Sequence, residues 1–139
     1  MKVLIAAVVS GVFLLLGALH FYWAAGGRWG KRVAIPQRGA EPLFHAGAGP
    51  TLGVGVLLMA AAVVAAGRLR SWEIPAINTL TLWGNWLLAV VFALRAIGDF
   101  RWAGFFKRVR GTPFAEMDTR LYSPLCLLLS MGCLYIALH

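Results

Sequence analysis

The stretch PAINTLTLWGNWLLAVVFALRAIG, residues 75–98, carries a single charge, Arg95, in an otherwise apolar run. Coiled as an α-helix at about 1.5 Å per residue, it is long enough to cross a hydrocarbon layer of ~30 Å. Three further runs, at about 3–25, 48–67 and 121–138, have the same character. Together they predict an all-α, polytopic membrane protein: four transmembrane helices in an antiparallel bundle, forming one domain over 1–139.

Composition points the same way. The chain is 60% hydrophobic with a mean hydropathy of +0.77, too apolar for a soluble domain of this length. Its charges are unevenly placed. Arg28, Lys31, Arg32, Arg38, Arg101, Lys107, Arg108, Arg110 and Arg120 lie in the first and third loops, whereas only Lys2, Arg68 and Arg70 flank the other ends. By the positive-inside rule the first and third loops face the cytoplasm and both termini the periplasm. A net charge of +8 suggests nucleic acid in a soluble protein, but here it flanks apolar spans and is interleaved with aromatics. Anionic lipid head groups are the expected counter-charge, and no nucleic-acid partner is expected. The first run ends in bulky Phe21, Tyr22 and Trp23, so it reads as a retained helix rather than a signal peptide.

Within residues 75–98 the polar side chains are not scattered. Asn78, Thr81, Asn85, Arg95 and, just beyond, Asp99 fall on one face at 100° per residue. An unsatisfied amide in hydrocarbon is costly, so this face must point into the bundle or at another subunit. Two uses are open for it: interhelical hydrogen bonding, which the frequency of Asn and Thr as structural glue favours, or the wall of a polar path. His20 is the ionisable residue inside the first span, either a neutral imidazole bonded to a neighbouring helix or a functional group. Haem needs two histidines at one depth. His45 lies nearer the interface than His20 and His139 at the opposite side, so no cofactor is expected.

Small residues mark the helix contacts. Cys126 and Cys133 are seven residues apart on one helix, about 10 Å along its axis, and cannot form a disulfide with each other. With Ser123, Ser130 and Ala137 they form a small-residue stripe suited to close helix packing, and no metal site is expected. In the second span Gly49 and Gly53 make one Gly-x-x-x-Gly spacing, read here as a packing face, and Pro50 suits a first helical turn.

The third loop, in which Phe100, Trp102, Phe105 and Phe106 alternate with Arg101, Lys107 and Arg108, suits a segment lying in the interface. Asp118 or Ser123 is expected to cap the fourth helix, with Pro124 either kinking it or opening it. Arg95 near hydrocarbon calls for a carboxylate, and Asp99 and Asp118 are the nearest in the topology. A polar cluster is therefore predicted at the cytoplasmic end: His20, Arg95 and Asp99, with Arg28, Asp118 and Arg120 as outer members. It is either a staple holding helix ends or a ligand site.

Three phrases, His20-Phe21-Tyr22-Trp23-Ala24 with Gly26-Gly27, Arg95-Ala96-Ile97-Gly98-Asp99-Phe100, and Asp118 through Cys126, resemble a family of small bacterial integral-membrane proteins known as a domain of unknown function. The resemblance covers nearly the whole chain and implies four helices in the bacterial inner membrane, but no activity. Phosphate loops, His-Glu-x-x-His, Cys-x-x-Cys and a serine elbow are absent. No acid lies deep in a span, which disfavours a proton-coupled exporter. Three function classes remain. The first is a non-catalytic accessory or scaffold subunit or small-ligand binder, associated with other membrane subunits or with itself. The second is an enzyme acting on a lipid or isoprenoid with His20 as acid/base, and the third is half of a dimeric transporter.

Overall fold

The computed structural model describes residues 1–69 and 74–139; Arg70, counted above on the weakly basic side, lies outside the described residues. Among the described residues four helices are long and apolar enough to cross a membrane: Lys2–Ala24, Ala48–Ala66, Pro75–Ile97 and the continuous stretch Pro113–Leu138. Over an 18-residue window in each, the mean hydropathies are 2.4, 2.0, 1.6 and 1.9, values that favour hydrocarbon over water. The elements in chain order are α1 (Lys2–Ala24), α2 (Lys31–Ala34), β1 (Gln37–Arg38), β2 (Glu41–Pro42), α3 (Ala48–Ala66), α4 (Pro75–Ile97), α5 (Pro113–Met117), a π-helical turn (Asp118–Tyr122) and α6 (Ser123–Leu138). The two strands pair as a minimal antiparallel hairpin between α2 and α3.

The first three long helices agree with the sequence reading to within a residue or two, but the fourth begins eight residues earlier than the expected 121. Thr112 is its N-cap, its hydroxyl accepting from Ala115 N at 3.2 Å, and Pro113 occupies the first turn. Neither Asp118 nor Ser123 caps the helix. Pro124 has no N–H to give the preceding turn, and the helix absorbs this with the π turn, in which Ser123 N donates to Asp118 O.

The long helices pack α1 on α3 and α4 on α6, with α1–α6 and α3–α4 contacts closing the ring. The core is built largely from small side chains: Ala6 from α1, Ala61, Ala62 and Ala65 from α3, Ala89 from α4 and Cys133 from α6. Phe13 of α1 and Phe92 of α4 fill the middle, their ring centroids 5.1 Å apart. Large aliphatics such as Leu15, Leu57, Leu80, Leu87 and Leu128 are exposed on the outside. A water-soluble bundle reverses that arrangement; in lipid, association depends on close backbone approach instead.

Close approach occurs, but not where the Gly-x-x-x-Gly spacing put it. Gly49 and Gly53 face outward, and a Cβ on either would meet nothing within 4 Å. The α1–α3 contact runs through Gly17 and Gly55: a Cβ on Gly17 would lie 2.7 Å from the Met59 methyl, and one on Gly55 2.8 Å from the Phe21 ring. Gly55→Leu should therefore lower the unfolding free energy in detergent by about 1–3 kcal/mol, the usual cost of overpacking. Gly53→Leu, on the same helix, should leave it nearly unchanged. Equal effects in a chemical unfolding series would contradict the α1–α3 interface.

Candidate functional site

One end of the bundle gathers the C-terminus of α1, the loop after it, the C-terminus of α4, the loop 98–112 and the start of the fourth span. At its centre is Asp118, whose side chain is fully buried. Arg95 Nη2 donates to Oδ1 at 2.9 Å. Oδ2 accepts from Lys107 Nζ at 2.9 Å, from the backbone N of Gly104 at 2.8 Å and from Ser123 Oγ at 3.2 Å. The π turn matters here: Ser123 is five residues after Asp118, a spacing that a regular α-helix would rotate off the same face.

Lys107 is equally committed. Its side chain is 3% exposed, and its ammonium donates to Gly104 O at 3.1 Å, Asp118 Oδ2 at 2.9 Å and Thr119 Oγ1 at 2.6 Å. Those three bonds use all three N–H groups. Arg95 differs: its side chain is 35% exposed, and its Nη1 has no hydrogen-bond partner.

The backbone of the loop is shaped to make these bonds. Gly98 and Gly104 both have φ of +91° and face each other so closely that a Cβ on either would strike backbone of the other's strand. Phe105 N closes onto Ala96 O at 2.8 Å, which carries Gly104 N over Asp118. Asp99 Oδ1 takes three loop amides, from Arg101 at 3.0 Å, Trp102 at 2.7 Å and Ala103 at 2.9 Å. Partial desolvation opposes ionisation of Asp99, but the amide bonds from Ala103, Trp102 and Arg101 outweigh it and hold the carboxyl below its usual range.

The predicted cluster is thus split. Arg95 and Asp118 meet, at the junction of α4 and the fourth span. Asp99 instead ties the loop, four residues on from Arg95, and does not pair with it. Arg28 and Arg120 are exposed and make no contact with Asp118. His20 stands apart as well: its Nδ1 lies 2.7 Å from Leu16 O in its own helix, and its ring packs edge-on against Trp23 at 5.2 Å. It lines a separate cavity, which His45 also lines, so these two histidines share a space that their sequence positions did not suggest. Lys107, which the sequence presents as one more interfacial cation, is instead buried against Asp118.

Elsewhere the polar stripe of α4 binds to its own helix and to α3. Thr81 Oγ1 donates to Ile77 O at 3.0 Å and Asn78 O at 3.1 Å. Asn85, fully buried, donates to Val64 O of α3 at 3.2 Å and to Thr81 O at 2.8 Å. Ser130 Oγ crosses from α6 to Ala89 O of α4 at 2.7 Å, and buried Cys133 packs in the core beside it; Cys126 is half-buried. Among the described residues no group of three or more His, Cys, Asp or Glu could hold a metal.

Comparison with known families matches residues 13–133 to a family described as a protein of unknown function, DUF3995. The chain belongs to that family. No curated protein and no solved structure matches it. The DUF3995 match takes in all three phrases noted in the sequence, and each now has a physical account. In the first, Trp23 Nε1 donates to Trp29 O at 2.7 Å and Gly27 leaves room for the Tyr22 ring, folding the loop back on α1. In the second, Arg95, Gly98 and Asp99 bind Asp118, pack on Gly104 and cap the loop in turn. The third contains Asp118, Thr119 and Ser123, and Tyr122, whose hydroxyl donates to Val33 O at 3.3 Å.

Two outcomes follow for stability. Asp118→Asn strands the buried Lys107 ammonium and should cost about 3–5 kcal/mol. Arg95→Gln removes a partner that is a third exposed and should cost about 1 kcal/mol after solvent screening. Unfolding in detergent gives both, and a neutral Asp118→Asn would refute the cluster as a structural tie. For Asp99, a depressed folded pKa means its stabilisation is complete above the ordinary carboxylate range and is lost as pH falls through the folded value. The protection factor of the Ala103 amide, taken relative to its intrinsic exchange rate, should therefore fall on acidification, and the fall should be absent in Asp99→Ala.

Proposed function

We propose that this DUF3995 protein is a non-catalytic subunit of the bacterial cytoplasmic membrane: an accessory or scaffold protein, or a small-ligand binder. Its four spans would run antiparallel, both termini on the periplasmic side and the Asp118 end in the cytoplasmic leaflet. The observation that carries this reading is the saturation of Asp118 and Lys107. A carboxylate whose oxygens already accept four hydrogen bonds, beside an ammonium that has spent all three of its own, has no valence left for a substrate or a travelling proton. Such a group holds helix ends together. The Arg95–Asp118–Lys107 triad joins α4, the loop 98–112 and the fourth span, as a tie within a larger assembly requires.

The basic bias supports the orientation. Arg38 of the first loop lies over the Trp102 ring at 5.9 Å, so the two basic loops sit at one end of the bundle. A reporter fused at either terminus should signal a periplasmic environment and one inserted near Arg108 a cytoplasmic one; a cytoplasmic C-terminus would reverse the assignment. For the role itself, purification of the full chain in mild detergent should yield a constant partner or a defined homo-oligomer. Recovery of a monodisperse monomer that turns over a lipid or isoprenoid would replace the accessory reading with the enzymatic one.

A further inference from the structure

The same end of the bundle, across the ring from Asp118, holds a second polar feature, with chemistry unlike that of a staple. A cavity of about 310 Å³ lies between the last turn of α1 and the first turn of α3, roofed by the loop between them. Among the described residues three basic side chains, His20, Lys31 and His45, line it, and no carboxylate does. The Leu16 carbonyl can only accept, so His20 Nδ1 is the protonated nitrogen and Nε2 is left for another group. The Lys31 ammonium and the His45 ring make no hydrogen bond or ion pair with the described residues. At the other cluster the Asp118 carboxylate and the Lys107 ammonium are fully bonded; here the Lys31 and His45 tips are not.

The rest of the wall is apolar. Trp23, Phe44 and Val54 line it, and Phe44 and Val54 are 51% and 44% exposed on the outer surface of the bundle. The cavity is therefore open toward the lipid and basic toward the loop, a gradient that matches an amphiphile lying with its head inward. Its floor adds to the positive potential: the N-cap of α3, Gly47, offers no side-chain cap, so the amides of Ala48 and Gly49 and the positive end of the helix dipole are not otherwise occupied. A free anion gains nothing from the aromatic and aliphatic wall, whereas a lipid phosphate uses both halves.

We infer that this cavity binds the phosphate head group of an anionic membrane lipid, held by Lys31 and His45, with the first carbons of its chains against Phe44 and Val54. The roof is preorganised for it. Trp23 and Tyr22 pin the loop at Trp29, the second through a 3.4 Å contact from Trp29 N to the Tyr22 hydroxyl, so Lys31 is presented without a folding step. The inference rests on the membrane placement above but not on the accessory role: a partner can be present or absent whatever the lipid titration shows.

The test is binding of a phosphatidic acid carrying a fluorescent chain to the full-length protein in neutral detergent. Lys31→Gln should weaken binding about tenfold or more, the order expected for one charge-assisted hydrogen bond. Arg108→Gln, on the exposed basic loop away from the cavity, should change it by less than about twofold. His45→Gln carries the same expectation as Lys31→Gln and stands in for it if the lysine variant does not fold, as judged by circular dichroism. Diacylglycerol, which lacks the phosphate, should not compete, and inorganic phosphate should compete only in large excess. Equal losses for Arg108→Gln and Lys31→Gln would mean diffuse attraction and overturn the site. Displacement by equimolar inorganic phosphate would overturn the lipid assignment, and unchanged binding in both Lys31→Gln and His45→Gln would overturn it altogether.

Discussion

A carboxylate sealed from water at the edge of a membrane must be neutralised and hydrogen-bonded at every oxygen, and the Asp118 end of this protein is arranged around that requirement. The desolvation cost of a lone buried ion runs to several kcal/mol, more than the net stability of many domains. Asp118 meets it with one guanidinium, one ammonium, one backbone amide and one hydroxyl. Each donor comes from a different place in the chain, so the charge converts four local conformations into one joint. The left-handed glycines at 98 and 104 aim the amide, the π turn aims Ser123, and the loop between them buries Lys107. None of these local choices is favourable alone. They are favourable together because the alternative is an uncompensated charge.

How much of this the sequence carried depended on the physics of each residue. The spans were legible because hydrocarbon imposes one length and one composition on any helix that crosses it. Arg95 was legible as a residue needing an acid, since a guanidinium near hydrocarbon has few alternatives. The choice of Asp118 over Asp99 was not, because Asp99 sits closer in the chain but is claimed by the three amides of its own turn. Lys107 and Arg108 are neighbours with the same charge; only the fold of the loop sends one inward and leaves the other exposed.

The glycines and the start of the last helix teach a similar lesson. A Gly-x-x-x-Gly spacing identifies a smooth strip on one helix, but contact needs a second helix laid along it, and α1 lies along Gly55 instead. Thr112-Pro113 is a good helix start by capping rules. It was hidden by the polar run Glu116, Asp118 and Arg120, which lowers hydropathy just where the helix begins. That run is polar because it faces the loops and the buried ion cluster.

The polar groups of this end divide between two pairs of helices. The α4–α6 pair carries Asp118, whose oxygens and whose Lys107 partner are fully bonded; the α1–α3 pair carries the basic cavity, where donors are left over. The two are joined by the loop that roofs the cavity. Its Val33 carbonyl accepts from Tyr122, in the same π turn that orients Ser123 toward Asp118, and its Arg38 rests on Trp102, whose amide is held by Asp99. Lys31 is two residues from Val33. The position of the cavity's principal cation is therefore set from the far side of the bundle by the packing that the buried carboxylate enforces. A rigid joint on one side thus holds the roof of the basic cavity on the other in place.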